Sequence, residues 1–160
     1  MAARNPFKRR RQVHLRLGQR GERIAAHLLR ELGLTVLTRN YRDRQYEIDI
    51  VARDRNTLCF VEVKTRRRLV RTRPGAAVGP AKRKNIVKAA RRYLREIGFP
   101  AIPHRFDLVE VILQGRRLRA INYLPAAFTE QSVKPRLDEM FPDLPANYVR
   151  RVVEPSGQTE

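Results

Sequence analysis

The chain has 160 residues, enough for one ordinary domain with tails but too few for two independent cores of normal size. It carries 35 Lys and Arg residues against 16 Asp and Glu, a formal net charge of +19, and no apolar run of the roughly 20 residues that span a bilayer. These features argue against a membrane-spanning protein and predict a polyanionic partner, nucleic acid in preference to a membrane surface.

Cysteine content and the first residues indicate the compartment. Cys59 is the one cysteine in the sequence and lies in an apolar run, so we expect a buried thiol and no intrachain disulfide. The Arg-rich start lacks the apolar segment of a secretory signal. Both observations predict a cytoplasmic protein.

The first half of the chain predicts an arm, a helix and three strands. Residues 1–16 are expected to form a basic N-terminal arm that is mobile until it meets phosphate. Residues 17–32 show an apolar stripe at helical spacing, which ends at Gly33. Alternating, β-branched segments then predict strands at residues 35–41, 46–52 and 57–64.

The second half predicts one helix and one or two strands. A helix begins near Pro80 and ends before Gly98, and a strand follows at residues 105–113. A turn at Gln114 leads to an edge-strand candidate at residues 117–123. The order α-β-β-β-α-β predicts an α/β fold, a mixed sheet flanked by helices, over residues 17–124. Residues 125–160 are predicted to be a peripheral or partly disordered tail.

Strand alternation separates polar from apolar side chains on the predicted hairpin of the second and third strands. The apolar face consists of Ile48, Ile50, Val61 and Val63. The polar face consists of Glu47, Asp49, Glu62 and Lys64. If the turn closes between Asp54 and Thr57, Asp49 lies opposite Glu62.

Two carboxylates opposite each other repel unless a cation joins them. An Asp-Glu pair without His or Cys suits Mg²⁺ or Mn²⁺, which keep water and substrate phosphate as their other ligands. Lys64 would then orient or deprotonate the attacking water, or stabilise negative charge. The pattern predicts a metal-dependent phosphodiesterase site, and a solvated polar hairpin is the alternative.

Glu22 is a further candidate for this site. It continues the apolar stripe of the first helix, so its carboxylate would bind the metal through water or brace the site. The alternative is that Glu22 only interacts with the positive end of the helix dipole. Asp107, on the strand after the second helix, is predicted to be a structural carboxylate bonded to backbone amides or to an arginine.

Several segments resemble the signature of the YraN family of bacterial proteins. They are residues 18–22 (GQRGE), 39–42 (RNYR), 47–52 (EIDIVA), 60–66 (FVEVKTR), 82–84 (KRK) and 105–109 (RFDLV). The resemblance implies a restriction-endonuclease-like fold of the PD-(D/E)XK nuclease superfamily, similar to the archaeal Holliday junction resolvases. It assigns Asp49, Glu62 and Lys64 to the nuclease triad. It also assigns Glu22 to the helix-borne acidic position, whereas Tyr46 stands where the family commonly has glycine.

Basic residues around this pattern are candidates for phosphate binding. Those of the loop after the third strand are Arg66, Arg67, Arg68, Arg71 and Arg73, and those of the second helix are Lys82, Lys84 and Lys88. Because they form no base-reading pattern, we expect backbone- or structure-directed binding of DNA, with RNA as an alternative. A non-catalytic nucleic-acid-binding module of the same fold is the alternative function. Nucleases that make paired cuts are commonly symmetric dimers, and this analogy allows a homodimer.

Overall fold

The computed structural model describes residues 6–43, 45–67 and 78–130. These residues form α1 (Pro6–Glu31), β1 (Thr35–Asp43), β2 (Tyr46–Asp54), β3 (Thr57–Arg66), α2 (Pro80–Glu96), β4 (His104–Gln114) and β5 (Arg117–Phe128). The predicted α/β fold is confirmed, and the edge-strand candidate is the fifth strand of the sheet. Neither of the helices described is long and apolar enough to cross a membrane.

The five strands form one mixed sheet in the order β1-β2-β3-β4-β5. Neighbouring strands are antiparallel except for β3 and β4, which are parallel because the chain returns through α2 between them. The central strand β3 is buried continuously from Leu58 to Val63, as expected for a strand covered on both faces. The hairpin of β2 and β3 closes with Asp54 opposite Thr57, as predicted.

Each face of the sheet is covered by one helix. On one face, Ala25 and Leu29 of α1 pack in a buried cluster with Val61 of β3. On the other face, Ala90 of α2 packs in a second cluster with Phe60, the neighbour of Val61 in β3. The sheet therefore separates two apolar layers, and alternate residues of β3 belong to different layers.

The prediction that Ile48 and Ile50 share a face is wrong. Ile48 is buried in the α2 layer, whereas Ile50 is buried in the α1 layer. The change of face falls at Asp49 and at Asn40, which lies across from Asp49 in the β1–β2 pairing. Asn40 has a φ of 53°, and this left-handed conformation interrupts the regular alternation of side chains. Asp49 therefore lies at the point in β2 where the regular alternation of side chains between the α1 and α2 layers is broken.

The termini of the predicted domain also differ from the sequence prediction. Helix α1 begins at Pro6, eleven residues before the start of the helix predicted for residues 17–32. Lys, Arg and Gln are strong helix formers that need no apolar stripe. Strand β5 continues to Phe128, which is buried and stacks on Phe106 with ring centroids 5.0 Å apart. Most of the predicted tail, residues 131–160, lies outside the described residues.

Candidate active site

Asp49 and Glu62 lie just beyond the last backbone pair of the β2–β3 hairpin. The backbone pairs end with Ile50 opposite Val61, and the predicted register is confirmed as far as this pair. The charge of Glu62 acts on Asp49, so the two carboxylates are close to each other. Here, the amide of Val63 donates a 2.7 Å hydrogen bond to Oδ2 of Asp49. The side chain of Asp49 thus takes over the acceptor role that a backbone carbonyl has in a ladder.

The surroundings of Asp49 favour its neutral form. Burial and the nearby charge of Glu62 raise the pKa of Asp49 to about 7, and the charge of Glu22 acts in the same direction. The amide of Val63 and the ammonium of Lys82 counteract part of this increase in pKa. Ionised Asp49 therefore requires more positive charge than the side chains around it supply.

Glu62 is only 2% exposed and lies between two ammonium groups. Nζ of Lys64 donates a 2.8 Å hydrogen bond to Oε1 of Glu62. Nζ of Lys82, from α2, lies 3.3 Å from Oε2 of Glu62 and 3.8 Å from Oε1 of Glu47. Oε2 of Glu62 is buried and receives no hydrogen bond of acceptable geometry from the described residues. This oxygen therefore has acceptor capacity that no described hydrogen bond uses.

Glu22 approaches from the α1 side of the sheet. Its Oε2 lies 3.8 Å from Nη2 of Arg39 and, like Oε2 of Glu62, is buried without a hydrogen bond from the described residues. Because α1 begins at Pro6, Glu22 lies in the middle of the helix, where the dipole has little effect. The helix-dipole alternative for Glu22 is therefore wrong.

Gly21 sets the distance between α1 and the end of β3. A Cβ atom at Gly21 would lie 1.8 Å from Oγ1 and 3.0 Å from Cβ of Thr65. Only glycine lets the helix backbone pack directly on the side chain of Thr65. This contact fixes the height of Glu22, the next residue of α1, relative to the strand that carries Glu62 and Lys64.

The donor atoms of these residues fit a hard divalent cation. Among the described residues, no three His, Cys, Asp or Glu side chains gather closely enough to hold a metal ion by themselves. Mg²⁺, however, is commonly held by one or two carboxylates, with water and substrate phosphate completing its octahedron. Asp49 and Glu62 provide two carboxylates, and Glu62 has a buried oxygen without a hydrogen bond. Glu22 offers a third carboxylate at longer range.

Comparison with known proteins identifies the family. Residues 21–111, which include Glu22, Asp49, Glu62 and Lys64, match the family model described as "Uncharacterised protein family UPF0102". The chain belongs to the UPF0102 family. UPF0102 is the same family as YraN, so the predicted membership is confirmed.

Three UPF0102 proteins illustrate the extent of the similarity. The chain is 43% identical to a UPF0102 protein from Chlorobium phaeobacteroides over 105 residues. This alignment covers 66% of this chain and 83% of that protein. Identity to the UPF0102 protein of Chlorobaculum parvum is 44% over 117 residues, 70% of this chain and 91% of the relative. Identity to the UPF0102 protein of Nocardia farcinica is 42% over 112 residues, which are 70% of this chain and 88% of the relative.

In this UPF0102 chain, Tyr46 replaces the glycine that the family resemblance led us to expect. Nζ of Lys88 lies 5.2 Å from the centroid of the Tyr46 ring and donates a 3.2 Å hydrogen bond to its hydroxyl. The guanidinium carbon of Arg92 lies 5.5 Å from the same centroid. The ring is thus held by two cations of α2.

The predicted phosphate-binding residues of this UPF0102 chain fall into three groups. Arg66 ends β3, and its Nη2 lies 4.0 Å from Oε1 of Glu110. Arg67 follows the strand and is exposed. Lys84 and Lys88 are exposed on α2, whereas Lys82 turns towards Glu62. Residues outside the described ranges are Arg68, Arg71 and Arg73.

Sequence reasoning missed Glu110, a buried acidic residue beside the site. Glu110 of β4 is 8% exposed and pairs in register with Lys64 of β3. The only sequence signal is an acidic residue in an otherwise apolar strand. Its position next to Lys64 depends on the parallel pairing of two strands that are far apart in the chain.

Asp107 has the structural role predicted for it. Its fully buried carboxylate accepts hydrogen bonds from the hydroxyl of Tyr123 at 2.7 Å and from the amide of Ala126 at 2.8 Å. Nε of Arg105 donates to the same carboxylate at 3.1 Å, and Arg105 also pairs with Asp54. These bonds join β2, β4 and β5 on the same sheet.

Proposed function

We propose that the chain is a Mg²⁺- or Mn²⁺-dependent endonuclease that hydrolyses phosphodiester bonds in DNA. The observation that carries the proposal is the proximity of Asp49 to Glu62, whose buried carboxylate has one oxygen bonded to Lys64 and another without a hydrogen bond from the described residues. Two carboxylates can hold a divalent cation that has water and substrate phosphate as its other ligands, and such a cation assists phosphodiester hydrolysis.

Each residue of the site has a separate task in this proposal. A divalent cation held by Asp49 and Glu62 supplies Lewis acidity and an activated water. The ammonium of Lys64 has three N–H donors, of which one bonds Glu62 and the others are available to orient water or to stabilise charge on a phosphate oxygen. Lys82 of α2 compensates the charge of Glu62, so that this carboxylate tolerates burial in the absence of substrate, and it also lies near the exposed Glu47.

The net charge of +19 supports DNA as the substrate, since each basic residue that meets a phosphate releases counterions. Lys84, Lys88 and Arg67 are exposed around the site and offer contacts to the backbone and none to a defined base pattern. Recognition is therefore directed by backbone and structure, and two copies related by a two-fold axis would cut both strands of a symmetric substrate.

One observation favours a second candidate function, a non-catalytic nucleic-acid-binding module. The ammonium groups of Lys64 and Lys82 both contact Glu62 and already compensate its charge without a metal ion. In that case the site is a charge network that stabilises the fold, and the chain binds nucleic acid equally well in EDTA.

A cleavage assay tests the proposal. Purified protein is incubated with branched, single-stranded and duplex DNA in Mg²⁺, in Mn²⁺ and in EDTA. We expect metal-dependent cleavage that Asp49→Asn and Lys64→Met abolish. The matched controls are Glu31→Gln and Arg53→Met, which remove one negative and one positive charge from exposed positions away from the site and should cut normally. Cleavage that survives Asp49→Asn refutes the proposed site, and binding without any cleavage supports the second candidate.

A further inference from the structure

Three separate elements meet beyond the end of β3. In the parallel pairing of β3 and β4, Arg66 lies opposite Ile112, so Arg67, which follows the last residue of β3, lies near the end of β4 that leads into the β4–β5 turn. That turn contains Arg116, whose backbone oxygen accepts a hydrogen bond from the guanidinium of Arg20 in α1. The side chain of Arg20 thereby ties the helix to the turn.

Several arginines gather at this place without an acidic partner among the described residues. Those exposed to solvent are Arg67, Arg116, Arg117 and Arg119. Residues 111–129 contain neither Asp nor Glu. Within the described part of the chain, no ion pair joins a carboxylate to Arg20 or to any of these four arginines. Their positive charge is therefore not compensated by a carboxylate of residues 6–43, 45–67 or 78–130.

The basic face of α2 differs in this respect. Arg91 pairs with Glu130 at 2.8 Å, Arg92 bonds Asp43, and Lys82 pairs with Glu62. A phosphate that approached these residues would have to compete with a carboxylate already in place, whereas a phosphate at the turn would not. The arginines at the turn therefore meet a polyanion without competition from a described carboxylate, unlike Lys82, Arg91 and Arg92 of α2.

We infer that the arginine corner, which consists of Arg20, Arg67, Arg116, Arg117 and Arg119, binds the sugar-phosphate backbone of duplex DNA beside the cleavage site. Arg67 follows Lys64 by three residues, which is a separation of about 10 Å for extended backbone at roughly 3.3 Å per residue. The same separation is about three base-pair steps along a duplex. The corner would thus hold the duplex a few base pairs from the phosphate that Lys64 contacts. The choice of DNA as the partner rests on the proposed function.

Salt-dependent DNA binding in EDTA tests the inference, because no cleavage occurs in EDTA. The variant Arg117→Gln/Arg119→Gln is compared with Arg53→Gln/Arg55→Gln, whose arginines are also exposed but lie at the β2–β3 turn, at the other end of the sheet. We expect the first variant to bind a short duplex at least tenfold more weakly and to reduce the slope of log K against log salt by about 2. The second variant should keep the wild-type slope, as should Arg117→Lys/Arg119→Lys.

Equal losses in the two glutamine variants would overturn the inference, since they would show only the effect of net charge. An unchanged slope in Arg117→Gln/Arg119→Gln would also overturn it, as would loss of binding in Arg117→Lys/Arg119→Lys, which keeps the charge. Tighter wild-type binding to duplex RNA than to duplex DNA would assign the corner to RNA and reject the stated partner. Failure of cleavage in Mg²⁺ affects only the proposed function, because the slopes are measured without metal.

Discussion

The amide of Val63 donates its hydrogen bond to Oδ2 of Asp49 just where the backbone ladder between β2 and β3 has ended. A single bond of 2.7 Å therefore fixes the carboxylate of Asp49 on the strand that carries Glu62. Because the bond comes from the backbone, no substitution of a neighbouring side chain removes it. Two acidic groups that repel each other are held close together by the geometry of one hairpin.

The raised pKa of Asp49 predicts a pH-dependent stability. Since the pKa rises to about 7 in the folded protein, the folded state binds more protons than the unfolded state between about pH 4 and pH 7. The contribution of protonated Asp49 to the unfolding free energy is complete below about pH 4 and is lost as the pH rises through 7. We expect the unfolding free energy of the metal-free protein, relative to Asp49→Asn, to fall over this range. Urea unfolding in EDTA at several pH values measures this difference, and a constant difference would contradict the prediction.

Replacement of Lys82 by methionine should strengthen metal binding. The change removes an ammonium that lies 3.3 Å from Oε2 of Glu62 and competes with a cation for that oxygen. We expect Mn²⁺ affinity to rise by about threefold to tenfold, measured by paramagnetic resonance above pH 7, where Asp49 is ionised. Lys84→Met removes the same charge from an exposed position of α2 and should leave the affinity unchanged. Equal effects in both variants would argue against competition at Glu62.

Substitution of Gly21 by alanine should destabilise the fold. The new methyl group would lie 1.8 Å from Oγ1 of Thr65, so helix or strand must move, at a cost of about 1–3 kcal/mol in unfolding free energy. Gly18→Ala is the control, because its Cβ would approach only Oε1 of Glu22, at 4.0 Å, and should gain about 0.5–1 kcal/mol of helix stability. Adding Thr65→Ala to Gly21→Ala should recover part of the loss. Denaturant unfolding would contradict the close contact if both glycine variants were stabilised.

Truncation of Asp107 should be costly without affecting the candidate site. Asp107→Ala leaves the hydroxyl of Tyr123 and the amide of Ala126 without their acceptor, and we expect a loss of about 3 kcal/mol or more in unfolding free energy. Asp54→Ala removes the more exposed partner of Arg105 and should cost about 1 kcal/mol or less. Mn²⁺ affinity should stay at the wild-type value in both variants. Reduced Mn²⁺ affinity in Asp107→Ala alone would contradict a purely structural role.

Local features of the fold could be predicted from the sequence. The register of β2 and β3 depends on a short turn and on strand alternation, which are both visible in a few consecutive residues. Asp107 was interpretable for a similar reason, because an acidic residue in a buried strand needs donors nearby. The apolar stripes of α1 and α2 likewise identified the faces that pack on the sheet.

Features that depend on distant pairings could not be predicted. The reversal of faces between Ile48 and Ile50 comes from the conformation of Asn40 on a neighbouring strand, which alternation alone does not reveal. The contact of Lys82 with Glu62 depends on how α2 lies over the sheet. The Arg-rich start shows no apolar stripe at helical spacing, so no pattern in the sequence indicated the first turns of α1.

The origin of Asp49 and Glu62 in a single hairpin has a consequence for folding kinetics. A short loop brings them together at low entropic cost, whereas the parallel pair of β3 and β4 must close a much longer segment that includes α2. We therefore expect the hairpin to form before the β3–β4 pair during folding. A cation bound by Asp49 and Glu62 would then stabilise the folding transition state as well as the native state. In a chevron experiment, Mn²⁺ should then accelerate refolding and leave the unfolding rate nearly unchanged.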